Sequence, residues 1–167
     1  MKHQHFAKSE RGQSFTELAI SATFLLILLA GVVDLGRALF TYIALRDAIQ
    51  EGASYVAVEP NDCKGTIDRI REHTTQPINL SDPAIIVSVN VDGFPCPNVP
   101  GAHPPANTIC PGDTIEIGIT YNDFDITTPF IGTIVGSQKL TLQTKVFDSV
   151  VVDPDPISSK CALLTSP

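Results

Sequence analysis

The feature that most limits how this chain can fold is a long run without proline, from Gln13 to Glu59, whose first part is almost wholly apolar. Residues 18–33 carry no charged side chain, and Pro60 is the first proline in the sequence. Because proline ends or kinks a helix, we predict one unbroken helix from about residue 14 to residue 58. At 1.5 Å per residue it would be about 67 Å long, roughly twice the thickness of a bilayer core. The first half is therefore predicted to cross a membrane and the second half to stand outside it.

The second half of this helix has an amphipathic pattern that a folded domain should cover. Apolar residues recur there at helical spacing, and charged residues lie off that stripe. The stripe consists of Leu35, Leu39, Tyr42, Leu45, Ile49, Ala53 and Val56. Asp34 and Arg37 are three residues apart where the apolar run ends, so they are predicted to form an ion pair on one helical face.

The remainder of the chain is predicted to be an α+β domain. A short extra helix is expected over residues 66–73, and about three antiparallel strands over 84–91, 114–121 and 139–152, the last bulged near Asp148. These strands would pack on the amphipathic half of the long helix. The expected organisation is a basic leader at 1–12, the long helix at 13–59, an α+β domain at 60–152 and a tail at 153–167.

The charge distribution separates the two ends of the chain and excludes one class of partner. The net charge is −7, but residues 1–12 are basic, whereas fifteen acidic and six basic residues from position 47 onward give that part −9. An acidic body repels phosphates, so nucleic-acid binding is not expected. Basic residues before an apolar run favour an N-terminus in the cytoplasm and a folded domain outside.

The start of the apolar run predicts a processing site. Gly12 offers an extended, sterically open peptide bond just before the helix, and cleavage there would leave Gln13 with a charged amine. Glu17 lies one helical turn further on, and a lone carboxylate at the edge of a membrane helix is costly unless it is paired. It could pair with the amine of its own chain or of a neighbour; alternatively it is a first-turn carboxylate favoured by the helix dipole. A conventional signal-peptide site is poorly matched, since Ala30 follows two leucines.

These segments resemble a known family of pilus proteins. The leader that ends in Gly, with Glu as the fifth residue after it, is similar to type IV prepilins. The segments RGQSFTELAI, LLILLAGVVDLGRALF and ALRDAIQEGASYVAV resemble the TadE-like family of tight-adherence (Flp-type) pilus assembly proteins, strongly over residues 11–58. Residues 112–132 are similar to a weaker downstream pattern of that family.

The resemblance implies a pseudopilin with a pilin-like helix and no enzymatic activity. The expected function is that of a minor pilin or a pseudopilin-like structural subunit of a tight-adherence type IV pilus or of its assembly machinery. The expected partners are the membrane, other pilin-like subunits, the pilus assembly machinery and a prepilin peptidase that cuts between Gly12 and Gln13. Glu17 would set the register of one helix against the next.

Four cysteines follow the long helix, and on the outer side of a membrane they can oxidise. Four cysteines allow three connectivities. Cys96 and Cys110 bracket one loop, and closing it would contribute about 3 kcal/mol in the chain-entropy account. We therefore expect a Cys96–Cys110 disulfide and, from the two that remain, a Cys63–Cys161 disulfide.

Other functional classes find less support in the sequence. His3 and His5 fall in the leader, and the other two histidines are isolated, so neither a metal site nor a cofactor is expected. A membrane-bound enzyme would need a polar motif such as G-x-S-x-G or a glycine-rich phosphate loop, and none occurs. The main alternative is a permanently membrane-anchored extracytoplasmic binding module that forms no filament. That alternative predicts a mature chain that starts at Met1 instead of Gln13.

Overall fold

Six elements make up the part of the chain that the computed structural model describes, which is residues 11–73, 76–96, 109–128, 132–133 and 136–151. In chain order they are α1 (Arg11–Val58), α2 (Cys63–Glu72), β1 (Ile85–Val91), β2 (Phe94–Pro95), β3 (Thr114–Asp125) and β4 (Lys139–Ser149). The predicted α+β class is confirmed, with a four-stranded sheet in place of about three strands. Most of the predicted leader and all of the predicted tail lie outside the described residues.

Helix α1 is continuous over 48 residues, about 72 Å at the usual rise. It begins three residues before the predicted start and ends at the predicted residue. The Glu59 N–H donates the last helical hydrogen bond to the Tyr55 carbonyl at 2.9 Å, and Pro60 follows. Proline has no N–H to continue the ladder, which explains why the helix stops there.

The predicted amphipathic stripe is correct from Leu45 to Val56 and wrong from Leu35 to Tyr42. Leu45, Ile49 and Val56 are fully buried against the domain, whereas Leu35 is 70 % exposed and Leu39 is 56 % exposed. Between residues 34 and 41 the domain contacts a neighbouring face of the helix, where Asp34 and Thr41 are buried. Tyr42 belongs to the uncovered part as well, with 36 % of its surface exposed.

The sheet has the strand order β2-β1-β3-β4, and each neighbouring pair is antiparallel. Strands β1 and β3 lie in the middle of the sheet. The alternate residues Ile115, Ile117 and Ile119 of β3 are completely buried in the core on the face that meets α1. The register of β3 against β4 is regular at Asp148, so the bulge predicted there is wrong. The irregularity lies instead between Tyr121 and Phe124 of β3.

A close approach between the two helices positions α2 on the long helix. Gly52 of α1 is buried, and a Cβ atom added there would lie 2.6 Å from Cδ1 of Ile70 in α2. Ile70 is itself fully buried. Glycine therefore allows the two helix backbones to pack more closely than alanine would.

Candidate assembly surface

The first half of α1 presents apolar side chains to its surroundings on every side. Of the most apolar stretch of this helix, only 6 % is buried within the protein. A core helix of a water-soluble domain would be mostly covered, and this one is not. By length and composition the helix is long and apolar enough to cross a membrane, which is compatible with a single-pass anchor.

Two hydroxyls and one carboxylate stand out among the polar side chains of this half. The hydroxyls of Thr16 and Thr23 donate hydrogen bonds back to the carbonyls of Gln13 and Ala19, at 2.8 and 2.9 Å, so these groups are satisfied within the helix. Glu17 is exposed and makes no ion pair with any described residue. It is the single acidic residue between Gly12 and Val33, so the carboxylate stands alone in an apolar surface.

The predicted cleavage site lies inside α1. We expected an extended peptide bond just before the helix, but α1 begins at Arg11, so the bond between Gly12 and Gln13 belongs to the first helical turn. Among the described residues beyond its chain neighbours and the local helix backbone, no atom lies within 4 Å of where a Cβ of Gly12 would be. The backbone conformation of the bond differs from the expected one.

The predicted pair of Asp34 and Arg37 is present, with an Oδ1–Nη1 distance of 3.4 Å. The second carboxylate oxygen of Asp34 accepts a hydrogen bond from the backbone N–H of Thr128 at 2.7 Å. Arg37 in turn donates to the hydroxyl of Thr127 and lies over the ring of Phe124, 5.6 Å from its centroid. The pair therefore joins α1 to the end of β3 and the residues that follow it.

We call this group of five residues, Asp34, Arg37, Phe124, Thr127 and Thr128, the clamp. Asp34 and Thr128 are 6 % and 7 % exposed, so the hydrogen bond between them is shielded from water. A hydrogen bond to a charged group is worth about 1.5–3 kcal/mol. The sequence indicated the two helical residues but not the two threonines, whose pattern carries no signal for a contact 90 or more positions away.

A cleft of about 590 Å³ opens beside the clamp, between α1, β3 and the segment that follows α2. Three aromatic side chains line it, those of Phe40, Tyr121 and Phe124. Two carboxylates, Asp47 and Asp125, also line it and make no ion pair with a described residue. Burial raises the pKa of the Tyr121 hydroxyl, and nearby carboxylates raise that pKa further. No pattern in the amino-acid sequence indicated this cleft.

The expected disulfide pairing is wrong. Cys63 and Cys96 form a disulfide, with Cα atoms 5.2 Å apart, which excludes both Cys96–Cys110 and Cys63–Cys161. The reason is the fold: β2 pairs with β1, β1 contacts α2, and Cys96 follows β2 while Cys63 begins α2. Nearness along the chain did not decide the pairing. Cys110 is also disulfide-bonded, and Cys161 lies outside the described residues.

Within the described ranges, no group of three His, Cys, Asp or Glu side chains is arranged to hold a metal ion. His73 lines the cleft, while His3, His5 and His103 lie outside the described residues. Asp123 forms an ion pair with Lys139 at 2.9 Å. The described features that stand out are thus the exposed apolar helix, the clamp and the cleft.

Comparison with known protein families found one family that matches part of this chain. Residues 12–54, which cover the apolar half of α1, the helical clamp residues and most of the packed half, match the family described as TadE-like protein. No curated protein and no solved structure matches the chain significantly. The resemblance seen in the sequence is confirmed over this segment: residues 12–54 are similar to the TadE-like family, a structural family that is associated with the assembly of tight-adherence pili.

Proposed function

We propose that this chain is a minor pilin or a pseudopilin-like structural subunit of a tight-adherence pilus or of its assembly machinery. Its N-terminus lies in the cytoplasm and its folded domain outside, and a prepilin peptidase cuts between Gly12 and Gln13. The observation that carries the proposal is the division of α1. One continuous helix is bare and apolar over its first half and is the spine of a folded domain over its second half.

In this proposal the bare half of α1 is covered in two different environments. Before assembly, the bilayer covers its apolar side chains. After assembly, the same side chains pack against the helices of neighbouring subunits, so the surface stays covered when the helix leaves the membrane. Two exposed phenylalanines, Phe15 and Phe24, are 72 % and 67 % exposed and support this reading.

Glu17 sets the register in this assembly. A carboxylate buried in an apolar core without a partner costs several kcal/mol, so helices are expected to pack where it meets a positive group. Cleavage after Gly12 creates such a group, the amine of Gln13, one turn away in the same chain or in a neighbour. The lack of an ion pair for Glu17 among the described residues leaves the carboxylate available for this contact.

The test is the change Glu17→Ala in the full chain, expressed with the pilus machinery. Assembly, measured as subunit recovered in sheared pili or in the assembly complex, should fall at least about tenfold, since each 1.4 kcal/mol is a factor of ten. Membrane insertion should be unchanged because alanine is apolar. The matched control is Glu116→Ala, which removes a partly exposed carboxylate paired with Lys145 on the sheet. Normal assembly of the Glu17→Ala chain would disprove the register role.

A further inference from the structure

Helix α1 has two uncovered flanks beside its buried face, and they differ in chemistry. The first flank, which we call the outer stripe, consists of Leu35, Leu39, Tyr42 and Arg46 at spacings of four, three and four residues. The first three of these side chains are 70, 56 and 36 % exposed, and Arg46 is exposed as well. The outer stripe is thus an apolar ridge that ends in a positive charge.

Arg46 differs from the other exposed basic residues of α1 and the folded domain. Among the described residues, each of the others has an acidic partner within 4 Å: these are Arg37, Lys64, Arg69, Lys139 and Lys145. Arg46 makes no such pair. Its charge is therefore available for a group that this chain does not itself supply.

The second flank is the side of α1 that lines the cleft, through Arg37, Phe40, Ala44 and Asp47. The cleft offers aromatic walls together with the unpaired carboxylates of Asp47 and Asp125. Aromatic rings attract cations, and a carboxylate beside them strengthens the attraction. The cleft therefore complements the outer stripe in polarity and in charge. Its aromatic walls can cover the apolar side chains of the stripe, and its carboxylates can pair with the guanidinium of Arg46.

The two flanks lie on opposite sides of the face that packs against the domain. At about 100° per residue, their centres are about 150° apart around the helix axis. One chain cannot bring its own outer stripe into its own cleft, because both are on the same rigid helix. A second copy can do so, and the resulting contact is heterologous: each copy uses its stripe on one side and its cleft on the other.

We infer that the outer stripe of one copy docks in the cleft of the next copy, with Arg46 facing Asp47 and Asp125 of its neighbour. This inference rests on the proposed assembly function and adds to it the surface by which the domains meet. The contact continues the apolar helix surface of the membrane half outward. Since a heterologous contact leaves one stripe and one cleft free at the ends, it can extend to further copies.

The test is photo-crosslinking of the full chain in membranes, expressed without other pilus subunits so that copies are its only pilin-like neighbours. The change Tyr42→p-benzoylphenylalanine places the probe on the outer stripe. We expect a crosslinked dimer whose adduct maps to Phe40, Tyr121 or Phe124 of the second copy. The matched control, Phe94→p-benzoylphenylalanine, puts the probe on a similarly exposed aromatic position of β2 and should give no cleft adduct.

Charge reversal identifies the contact more sharply. Arg46→Glu in the probe-bearing copy should lower the yield of cleft adduct by up to about fivefold, as expected for the loss of an exposed ion pair worth up to about 1 kcal/mol. Co-expression with a tagged second copy that carries Asp47→Arg should restore the yield, because the charges are then exchanged. A yield that does not respond to either change would overturn the inference.

A second probe separates failure of this inference from failure of the proposed function. Phe24→p-benzoylphenylalanine reports contacts between copies in the apolar half of α1. Suppose that the Phe24 probe crosslinks two copies. If the Tyr42 probe then gives no cleft adduct, or gives adducts only to Tyr42 of the second copy or to lipid, the docking inference is wrong and self-assembly stands. If neither probe crosslinks copies, the docking inference is wrong and the proposed function loses its basis in self-assembly.

Discussion

The carboxylate of Asp34 and the backbone N–H of Thr128 are joined by a buried hydrogen bond of 2.7 Å across 94 positions of sequence. Asp34 is the residue at which α1 passes from the bare half to the packed half, so this bond fixes the folded domain to the helix at that boundary. The proposed assembly function requires the domain and the helix to move together from the bilayer into the assembly. The clamp meets this requirement.

The first prediction concerns the clamp. Asp34→Asn keeps the size of the side chain but removes the charge that Arg37 and Thr128 share, so the free energy of unfolding should fall by about 1.5–3 kcal/mol. Pulse proteolysis in urea, on the full chain in detergent micelles, measures this change. Asp123→Asn is the control, since an exposed ion pair such as Asp123–Lys139 contributes less than about 1 kcal/mol. Equal losses for the two variants would contradict the role given to Asp34.

The second prediction concerns the disulfide between Cys63 and Cys96, which closes a loop of 33 positions. Peptide mapping without reductant should recover these two cysteines in one linked pair. Replacing both with serine should cost about 4 kcal/mol in the chain-entropy account. A peptide that links Cys96 to Cys110 would show that the pairing expected from the sequence, and not the pairing in the fold, is the one that forms.

The third prediction separates the two halves of α1 by two leucines of similar exposure. Leu25 lies near the middle of the bare half, and Leu39 lies beyond Asp34. An arginine at the centre of a membrane helix costs about 2.5–3.5 kcal/mol on insertion scales, so Leu25→Arg should sharply lower the membrane-inserted fraction. Leu39→Arg should leave insertion unchanged. Carbonate extraction of membranes measures both, and a similar loss for the two variants would place the membrane boundary elsewhere.

The fourth prediction uses two glycines in α1 with different surroundings. Gly36 has open space where a Cβ would be, so Gly36→Ala should raise the free energy of unfolding by up to about 1 kcal/mol through helix propensity. At Gly52 the same gain is outweighed by overpacking against Ile70, which costs about 1–3 kcal/mol. Gly52→Ala should therefore lower stability in the same pulse-proteolysis assay. A gain at both positions would show that the helices can separate without cost.

Much of the fold could be predicted because local rules determine it. Absence of proline and apolar composition were enough for α1, and alternation of isoleucines was enough for β3. The short strand β2 was missed because two residues, Phe94 and Pro95, carry no periodic signal. The bulge was placed wrongly because its position depends on how β3 pairs with β4, which one strand alone does not show.

The contacts of the candidate site could be predicted where the residues are close in sequence. They could not be predicted where the residues come together only in the tertiary structure. The Asp34–Arg37 pair follows from helical spacing. The two threonines of the clamp, the cleft and the Cys63–Cys96 pair depend on which elements become neighbours. The exposure of Leu35 and Leu39 is the most instructive difference. Their spacing predicted that the domain of the same chain covers them, but both side chains are exposed.

The central claim is that the anchor is the processed helix of a pilus subunit, and mass spectrometry of the N-terminus of the membrane-bound chain tests it most directly. The chain should be co-expressed with a prepilin peptidase, and a Gly12→Leu variant, which fills the open space beside the cleavage site, should remain uncut. The account predicts a mature chain that begins at Gln13. A membrane-bound chain that still begins at Met1 in the presence of active peptidase would contradict it and favour a permanently anchored module.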